Sequence, residues 1–405
     1  MRTAISLVLG LLIALVVCRP LAPRALAAPA DEGKVYKSSY RIVDVHTHGA
    51  WPTPSALQAQ FAVMDATGVH ALTLLLFDPA GFPFNGGWSE TNLRAWLQLR
   101  RQFPERLNVF GTVDFGRAAK EPAFFQEIVT ELQAATKLGM QGIKIWKNLG
   151  MHHRDASGAL MKIDDPRLDP FWAQCGELGL PVFIHTADPR EYWYPSTYNT
   201  FQYKMRNTAR YYQHPAVPGW EDLIRQRDRL LLKHPETNFI AAHLASLTSD
   251  LDELGELLDK FPNLSVECSA RLRFLYRYHP DAIRDFFIKY QDRILFGSDI
   301  FLIADEKTLQ SETALKTWRQ RQIRAYSDYL EYFETDHSVT VPGGYQSQWL
   351  RLKGIHLPPT VLEKFYHRNA ERLIPGSAPA LSSGRGDGAS AAPMARGKPP
   401  DTLVK

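Results

Sequence analysis

The sequence predicts an α/β protein built as a (β/α)8 barrel of the TIM type, with insertions after strands five and eight. Its 405 residues are 45% hydrophobic and 22% charged, which is ordinary for a folded globular chain. From about residue 39 to residue 374, short apolar runs rich in β-branched residues alternate with longer segments of helical periodicity. Eight such repeats fit a closed barrel. A doubly wound open sheet should show a glycine-rich phosphate turn, which the sequence lacks.

The predicted strands follow one another at intervals that leave room for a helix after each. They comprise residues 41–46, 70–77, 107–113, 142–146, 181–186, 238–244, 264–269 and 293–299. Several helical segments end at glycine or run into proline, as helix C-termini do. Two long excursions, residues 186–218 and 300–358, follow strands five and eight. We expect both at the C-terminal face of the barrel, where TIM barrels build their active sites.

The two ends of the chain are expected to lie outside the barrel domain, which we place at residues 39–374. Residues 1–27 have a basic start, an apolar core and a small-x-small site, which is typical of a cleaved export signal; an uncleaved anchor is the alternative. Cleavage predicts a periplasmic or secreted protein that does not contact the membrane. Residues 375–405 are rich in Gly, Ser, Ala and Pro and are expected to form a disordered tail. Cys175 and Cys268 lie in apolar patterns and are predicted to be buried thiols.

Charge and aromatic patterning narrow the expected partners. The formal net charge is +4 and no basic run stands out, so binding of nucleic acid is not indicated. We expect a small-molecule substrate instead. The segment after strand five is crowded with aromatic residues from Tyr192 to Tyr212. One interpretation is a lid over the substrate; the other is an insertion that packs on the barrel or on a second subunit of a homo-oligomer.

Polar residues suited to chemistry lie near the ends of five predicted strands. The opening strand carries VDVHTHG, in which two imidazoles two residues apart share one face of a strand, with Asp44 expected on that face one step deeper. Each residue alone has an ordinary structural explanation, but together they predict a site at one barrel mouth. The residues are His46 and His48 on strand one, Lys144 on strand four, His185 after strand five, His243 after strand six and Asp299 after strand eight.

This pattern resembles the amidohydrolase superfamily. The phrases DDPRLDPFWAQCGELGLPVFIHT, HPETNFIAAHLAS, FPNLSVECSA, DRILFGSD and FYHRNAERLI are similar to its amidohydrolase-related branch, which holds aminocarboxymuconate-semialdehyde decarboxylase, resorcylate-type decarboxylases and hydrolases. The resemblance implies one divalent metal, zinc by preference, and a further histidine, His243, that acts on the substrate or on metal-bound water. The metal ligands implied are His46, His48, His185 and Asp299.

Three basic residues have roles that the sequence leaves open. Lys144 is interpreted as an unmodified residue beside a mononuclear centre, where it pairs with a substrate carboxylate or with an acidic neighbour. The alternative, taken from other branches of the superfamily, is a carboxylated Lys144 that bridges a second metal. Arg271 and Arg273, just past strand seven, are candidates for binding a substrate carboxylate, although arginines at a helix start can also lie on the surface.

The favoured function is metal-dependent hydrolysis of an ester, lactone or amide by a metal-activated water. In this reaction Asp299 shuttles a proton and His243 assists. The alternative is non-oxidative decarboxylation on the same scaffold, in which His243 or Asp299 supplies a proton to carbon. A third hypothesis, a binding protein on a retired barrel, is opposed by the intact set of mouth residues.

Overall fold

A computed structural model describes residues 35–49, 52–77, 90–195, 211–302, 306–342 and 349–379. The predicted export signal and almost all of the predicted tail lie outside the described residues. Among the residues that are described, no helix has the length and apolarity needed to cross a bilayer. Cys175 and Cys268 are free and buried, as the sequence predicts.

One sheet of parallel strands forms the centre of the molecule, with the strands side by side in chain order. The strands are β1 (Val43–Gly49), β2 (Ala71–Leu76), β3 (Leu107–Thr112), β4 (Gly142–Ile145), β5 (Val182–Ile184), β6 (Phe239–Ala241), β7 (Leu264–Glu267), β8 (Ile294–Leu295) and β9 (Ile300–Phe301). Except for Phe301 in β9, the strand residues are buried, which suits their near-continuous apolar sequences.

The sheet closes because the last strand returns to the first. Val45 donates its backbone N–H to the carbonyl of Phe296 at 3.0 Å, just past β8, and β9 pairs with β1 in parallel. The predicted strand 293–299 contains β8, and β9 lies just beyond its end. Asp299 divides them because its backbone takes a left-handed φ of 63°. The predicted (β/α)8 barrel is confirmed, with its eighth strand interrupted at a predicted site residue.

Apolar side chains fill the barrel interior below the mouth. Residues of several strands pack there as one buried cluster, which includes Val45, Leu75, Phe110, Phe183 and Ile240. A larger cluster lies between the outer faces of the strands and the surrounding helices. This two-layer burial leaves the polar ends of the strands as the place where a small molecule can be bound.

Helices follow the strands around the barrel. The longer ones are Pro54–Thr67, Glu90–Gln102, Phe124–Leu138, Asp169–Glu177, Trp220–Lys233, Leu251–Lys260, Pro280–Lys289 and Glu312–Glu334. Helix Pro54–Thr67 shows why these boundaries form. Thr53 caps its N-terminus, proline takes its first position, and Gly68 ends it with a φ of 88°. A Cβ on Gly68 would overlap the carbonyl oxygen of Ser38, so this turn requires glycine.

Short segments complete the chain. They are the short helices Asn148–Met151, Leu272–Leu275, Glu306–Gln310, Pro359–Glu363 and Asn369–Leu373, the 3-10 turns Phe115–Ala119, Pro166–Leu168, Arg190–Trp193 and Tyr211–Gln213, and the π-helical turn Lys364–Arg368. Strands β10 (Ser338–Pro342) and β11 (Trp349–Lys353) form an antiparallel hairpin. The hairpin follows β9 and the long helix 312–334. The predicted excursion after strand five lies partly outside the described residues, and both insertion positions stay predictions.

Candidate active site

A β-bulge in β1 aims both histidines of VDVHTHG into the barrel mouth. The pairing register of β1 with β2 shifts between Asp44 and Thr47. Within the shifted segment, Val45 packs in the barrel interior, and the ring of the next residue, His46, lies 4.9 Å from the ring of the interior Phe183. The extra residue of a bulge turns side chains of opposite parity to the same face.

Asp44 does not share that face, contrary to our expectation. Its carboxylate accepts hydrogen bonds from Tyr326 Oη at 2.8 Å and from Ser298 N at 3.1 Å. Tyr326 belongs to the long helix outside the barrel, so Asp44 points away from the mouth. Burial raises the pKa of Asp44 to about 7, against hydrogen bonds that lower it. Asp44 therefore fixes the backbone of Ser298, just before Asp299, from the side of the strand that faces away from the mouth.

Three predicted ligand atoms meet at the mouth. His46 Nε2 lies 3.2 Å from His48 Nε2, and Asp299 Oδ1 lies 3.3 Å from the first and 2.9 Å from the second. Ligands about 2.1 Å from a metal ion stand roughly 3.0–3.4 Å apart in octahedral or tetrahedral geometry. The three atoms therefore match one face of a coordination polyhedron.

The hydrogen bonds behind these rings decide which nitrogen is free. His46 Nδ1 lies 2.9 Å from the carboxylate oxygen Oε1 of Glu267, and His48 Nδ1 lies 3.3 Å from the carbonyl of Leu75. A carboxylate and a carbonyl can only accept, so each Nδ1 carries the proton in the neutral ring. Burial lowers the pKa of His46 well below its usual range, which favours the neutral ring. Two Nε2 lone pairs and a carboxylate oxygen then face one another, an arrangement that a divalent cation satisfies.

Asp299 is placed by its backbone as well as by its side chain. Its N–H donates to the carbonyl of His46 at 2.8 Å, and its left-handed φ turns the carboxylate toward the histidines. Burial opposes ionisation of this group, yet His46, His48 and Lys144 hold its pKa below the usual range. Asp299 is thus an anion, as a metal ligand must be.

His243 lies in a left-handed turn that follows β6. Residues 243–246 all have positive φ, which L-residues rarely adopt in succession. The carbonyl of Ser269 accepts from His243 Nδ1 at 3.0 Å, which leaves Nε2 as the nitrogen available to a ligand. Burial lowers the pKa of His243 well below its usual range. Among the described residues, His46, His243 and Asp299 also offer ligand atoms within 4.8 Å of one another.

His185, the fourth predicted ligand, contacts His243. Their ring centroids are 4.6 Å apart, and His185 Nε2 lies 3.7 Å from Asp188 Oδ1. Asp188 is also bound by Lys147 Nζ at 2.5 Å and by Tyr211 Oη at 2.6 Å. Burial lowers the pKa of His185 to about 4. The structure thus brings three predicted ligands together and places the fourth one ring away; the ligand assignment stays a prediction.

Lys144 is fully buried among aromatic rings. Its Nζ lies 4.4 Å from the centre of the Phe183 ring and 5.1 Å from that of Trp146. Within the described part of the chain this ammonium has no hydrogen-bond partner. Burial lowers the pKa of Lys144 to about 7, although Glu267 and Asp299 act to raise it. A buried ammonium without a partner destabilises the folded protein unless a ligand or a modification supplies the missing hydrogen-bond partner.

The two predicted arginines differ in their surroundings. Arg271 is 5% exposed, and Arg273 is half-buried. Arg271 donates from Nη1 to the carbonyl of Ala270 at 3.3 Å, while its Nε has no hydrogen-bond partner among the described residues. Burial lowers the pKa of Arg271, and its charge in turn helps to lower the pKa of His243. Arg271 therefore lies close to the mouth histidines.

Three aromatic rings, which we call the aromatic wall, lie next to the ring of His48. The Phe301 ring lies 4.6 Å from the His48 ring and the Trp146 ring lies 5.1 Å from it, with Phe77 at 6.2 Å. Phe301 is 41% exposed, which is unusual for a large apolar side chain at a polar site. Of the aromatic segment predicted after strand five, Tyr192–Tyr194 and Tyr211 are described; Tyr198, Phe201 and Tyr203 lie outside the described residues.

Sequence reasoning missed Glu267 and Ser269. Glu267 is the last residue of β7 and is 0% exposed. Its carboxylate accepts from His46 Nδ1, and the Ser269 hydroxyl lies 2.9 Å from both His46 Nδ1 and His243 Nδ1. A single acidic residue at the end of the apolar strand LSVECSA was the signal that could have identified them.

Comparisons with known proteins identify the family. The family described as amidohydrolase matches residues 43–376. A comparison with proteins of curated function finds no match. Similar solved structures include an uncharacterised TIM-barrel protein from Bordetella bronchiseptica, with 18% identity, coverage of 82% of this chain and 98% of that one, and a TM-score of 0.48.

Two further solved structures carry named activities. 2,6-Dihydroxybenzoate decarboxylase from Rhizobium has 16% identity, with 82% of this chain and 98% of that one covered and a TM-score of 0.47. 5-Carboxyvanillate decarboxylase from Sphingomonas paucimobilis has 15% identity, with 83% and 99% covered and a TM-score of 0.44. Because these sequence identities are low, we infer the substrate from the site itself. The family match runs from β1 to the end of the last helix, and the chain therefore belongs to the amidohydrolase family of enzymes, as its strand-end motifs predict.

Proposed function

We propose that this protein is a metal-dependent, non-oxidative decarboxylase of a small, planar carboxylic acid. The observation that carries the proposal is the buried Lys144 ammonium, which has no hydrogen-bond partner among the described residues. Its Nζ lies 4.4 Å from the centre of the Phe183 ring, which the ring of His46 also contacts at 4.9 Å, so Lys144 lies next to the predicted metal ligands. A substrate carboxylate is the group that compensates a buried ammonium most directly.

Arg271 adds a second cation to the same mouth. Its buried guanidinium has an Nε without a partner in the described part of the chain, and it is coupled to His243 by charge. Two buried cations beside the same group of strand-end residues favour an anionic substrate over a neutral ester or amide. This is why we rank decarboxylation above the hydrolysis that the sequence favours.

In this proposal His46, His48 and Asp299 would hold the metal, with His185 as the fourth ligand that the resemblance implies. The imidazole and carboxylate donor set suits zinc, although manganese also accepts such ligands. The bound metal would supply a Lewis acid that stabilises negative charge on the oxygens of the substrate. The aromatic wall of Phe77, Trp146 and Phe301 would pack against the planar part of the substrate.

The reaction consumes one proton for each carbon dioxide that is released. The carbon–carbon bond to the carboxylate breaks, its electron pair stays on the substrate carbon, and a proton from solvent then bonds to that carbon. His243 can relay this proton: with its Nδ1–H held by the carbonyl of Ser269, Nε2 first takes the proton from solvent and then gives it to the carbon. Burial disfavours the protonated ring, which makes that ring a ready proton donor. Lys144 and Arg271 would orient the carboxylate before it leaves.

Isotope incorporation separates the two reactions of this scaffold. The metal-loaded protein is incubated with a panel of aromatic and unsaturated carboxylic acids in D2O, and with their esters and lactones in H2(18)O. A decarboxylase releases carbon dioxide and leaves one deuterium on the carbon that lost it. Product that carries oxygen-18, without carbon dioxide, would show hydrolysis and overturn the proposal.

We also propose that the protein is exported from the cytoplasm. The sequence of residues 1–27 supports export and cleavage after Ala27. N-terminal sequencing of the protein from its native host should begin at Ala28. An intact Met1 in the purified protein would contradict export by this signal.

A further inference from the structure

Glu267 connects two histidines that have different tasks. Its Oε1 accepts from His46 Nδ1 at 2.9 Å and from the backbone N–H of His243 at 2.7 Å. Oε1 also accepts from the Ser269 hydroxyl at 2.9 Å, and Oε2 accepts from Ser269 N at 2.5 Å. One carboxylate thus receives four donors, from β1, from the left-handed turn after β6 and from its own strand end.

We propose that Glu267 is a positioning residue that builds the metal centre and the proton-transfer site with the same carboxylate. It fixes the ring of His46 as the Nδ1–H tautomer, which turns the Nε2 lone pair toward the metal. It also anchors the backbone of His243 in its left-handed conformation. The inference rests on the proposed function for the tasks of His46 and His243, but the contacts themselves do not depend on it.

The left-handed turn needs such an anchor. A left-handed residue other than glycine costs roughly 1–2 kcal/mol, and residues 243–246 form a run of them. Glu267 holds the start of the run, Arg227 Nη1 donates to the carbonyl of Ala245 at 2.9 Å, and Ser246 Oγ donates to the carbonyl of Thr186 at 2.8 Å. The bond to Glu267 is the one that also reaches the metal side of the mouth.

The surroundings leave room for a carboxylate and for little else. Glu267 is 0% exposed, and a Cβ on Gly297 would overlap its Oε2. The same Cβ would stand 3.0 Å from the Cβ of His46. Gly297, just past β8, therefore provides the space in which Glu267 and His46 meet.

The isosteric amide cannot replace this carboxylate. If a glutamine kept its oxygen toward His46 and His243, its NH2 would face the N–H of Ser269, donor against donor. If the amide were flipped, the NH2 would face both His46 Nδ1–H and His243 N–H. The first arrangement loses the bond from Ser269 N and gives His46 a neutral acceptor that is weaker than a carboxylate. The second loses the bonds from both His46 and His243, and His46 can then escape only by moving its proton to Nε2, which withdraws the lone pair from the metal.

The test measures tautomers and metal affinity, not only turnover. In Glu267→Gln we expect the imidazole 15N NMR signals of His46 to lose the pattern of a single Nδ1–H tautomer. We expect the dissociation constant for Zn2+, measured by competition with a chromophoric chelator, to rise about 10–100-fold. Unchanged tautomers and an unchanged Zn2+ dissociation constant would overturn the inference.

Two further variants keep the test decisive. Glu334→Gln changes a half-buried glutamate, whose carboxylate accepts from Tyr36 Oη and Tyr366 Oη at 3.0 Å, and should leave Zn2+ affinity unchanged. If Glu267→Gln does not fold, Ser269→Ala removes one donor to Glu267 and should still shift the His46 and His243 signals. Unshifted signals in Ser269→Ala would then overturn the inference.

A failure of the proposed function is distinguishable from a failure of this inference. It would appear as wild-type protein that releases no carbon dioxide while these tautomer shifts persist.

Discussion

The two sides of the barrel mouth differ in how their polar atoms are bonded. On the side of β1, β7 and Asp299, the rings of His46 and His48 are held from behind by Glu267 and by the carbonyl of Leu75. On the side of β3, β4 and β5, the atoms Thr112 Oγ1, Lys144 Nζ and His185 Nε2 have no hydrogen-bond partner among the described residues. The first side is organised by the protein itself, whereas the second still offers its polar atoms to a ligand. We therefore assign the metal to the first side, with His185 as its predicted ligand from across the mouth, and the substrate carboxylate to Lys144 on the second side together with Arg271.

The largest expected effect comes from removing a ligand on the organised side. His48→Ala should retain less than about one tenth of the wild-type metal and lose roughly a thousandfold in turnover, or about 4 kcal/mol of transition-state stabilisation. Metal content by mass spectrometry and carbon dioxide release check this. His367→Ala, at a half-buried histidine hydrogen-bonded to Glu371, is the control and should keep both. Full metal content in His48→Ala would contradict the assignment.

Replacing Lys144 should have the second largest effect, and it should lower activity while raising stability. Lys144→Met should lower kcat/KM for the carboxylic acid by about a hundredfold while metal content stays constant, because a charged contact to the substrate is lost. It should also raise the free energy of unfolding at pH 7 by up to about 5 kcal/mol, since the folded protein holds the Lys144 proton only up to a pKa of about 7.

The pH dependence of this stability follows from the same shift. The unfolded chain keeps the Lys144 proton up to its usual pKa of 10.5, and the folded chain releases it near 7. The unfolded state therefore binds more protons between these values, and wild-type stability should rise from pH 7 toward pH 10.5. Urea unfolding at pH 7 and at pH 9.5 should show this rise in wild type and its absence in Lys144→Met. An identical slope in both proteins would exclude a depressed pKa at Lys144.

A smaller effect should distinguish a clash at the metal side from a clash elsewhere. Gly297→Ala forces a Cβ against Glu267 Oε2, and Gly142→Ala forces one against the ring of Phe110. Both should lower the free energy of unfolding by about 1–3 kcal/mol. Only Gly297→Ala should weaken Zn2+ binding, by about tenfold, because only it displaces the carboxylate behind His46. Equal Zn2+ affinity in the two variants would remove the link between Gly297 and the metal.

The smallest effect separates the two arginines. Arg271→Gln should raise KM for the carboxylic acid about tenfold, because its guanidinium is buried beside His243. Arg273→Gln should raise KM by less than about threefold, because Arg273 is half-buried and its charge is screened by solvent. Steady-state kinetics on both variants check this, and a larger effect at Arg273 would reverse the assignment.

The sequence predicted the barrel because its strands carry strong local signals. Buried parallel strands are short apolar runs, and each of the eight predicted runs coincides with a strand of the sheet. The strand-end histidines and Asp299 could be found for the same reason, since polar residues at the ends of such runs contrast with their neighbours. What local patterns could not give is how the strands bend.

The features that the sequence did not reveal depend on contacts between distant segments. The bulge between Asp44 and Thr47 reverses the expected side of Asp44, and it is defined by pairing with β2. The left-handed turn at His243 is held by Glu267, which is 24 residues away. Glu267 itself resembles an ordinary interruption of an apolar strand until β1 is placed beside it. These are tertiary effects that override local propensity.

The metal content of purified wild-type protein and of Lys144→Met tests the central claim most directly. We expect one equivalent of divalent metal per chain in both, because the metal lies on the side of His46, His48 and Asp299 and Lys144 is a free cation that meets the substrate. Two equivalents in wild type, falling to one in Lys144→Met, would contradict this account and establish a carboxylated Lys144 that bridges a binuclear centre.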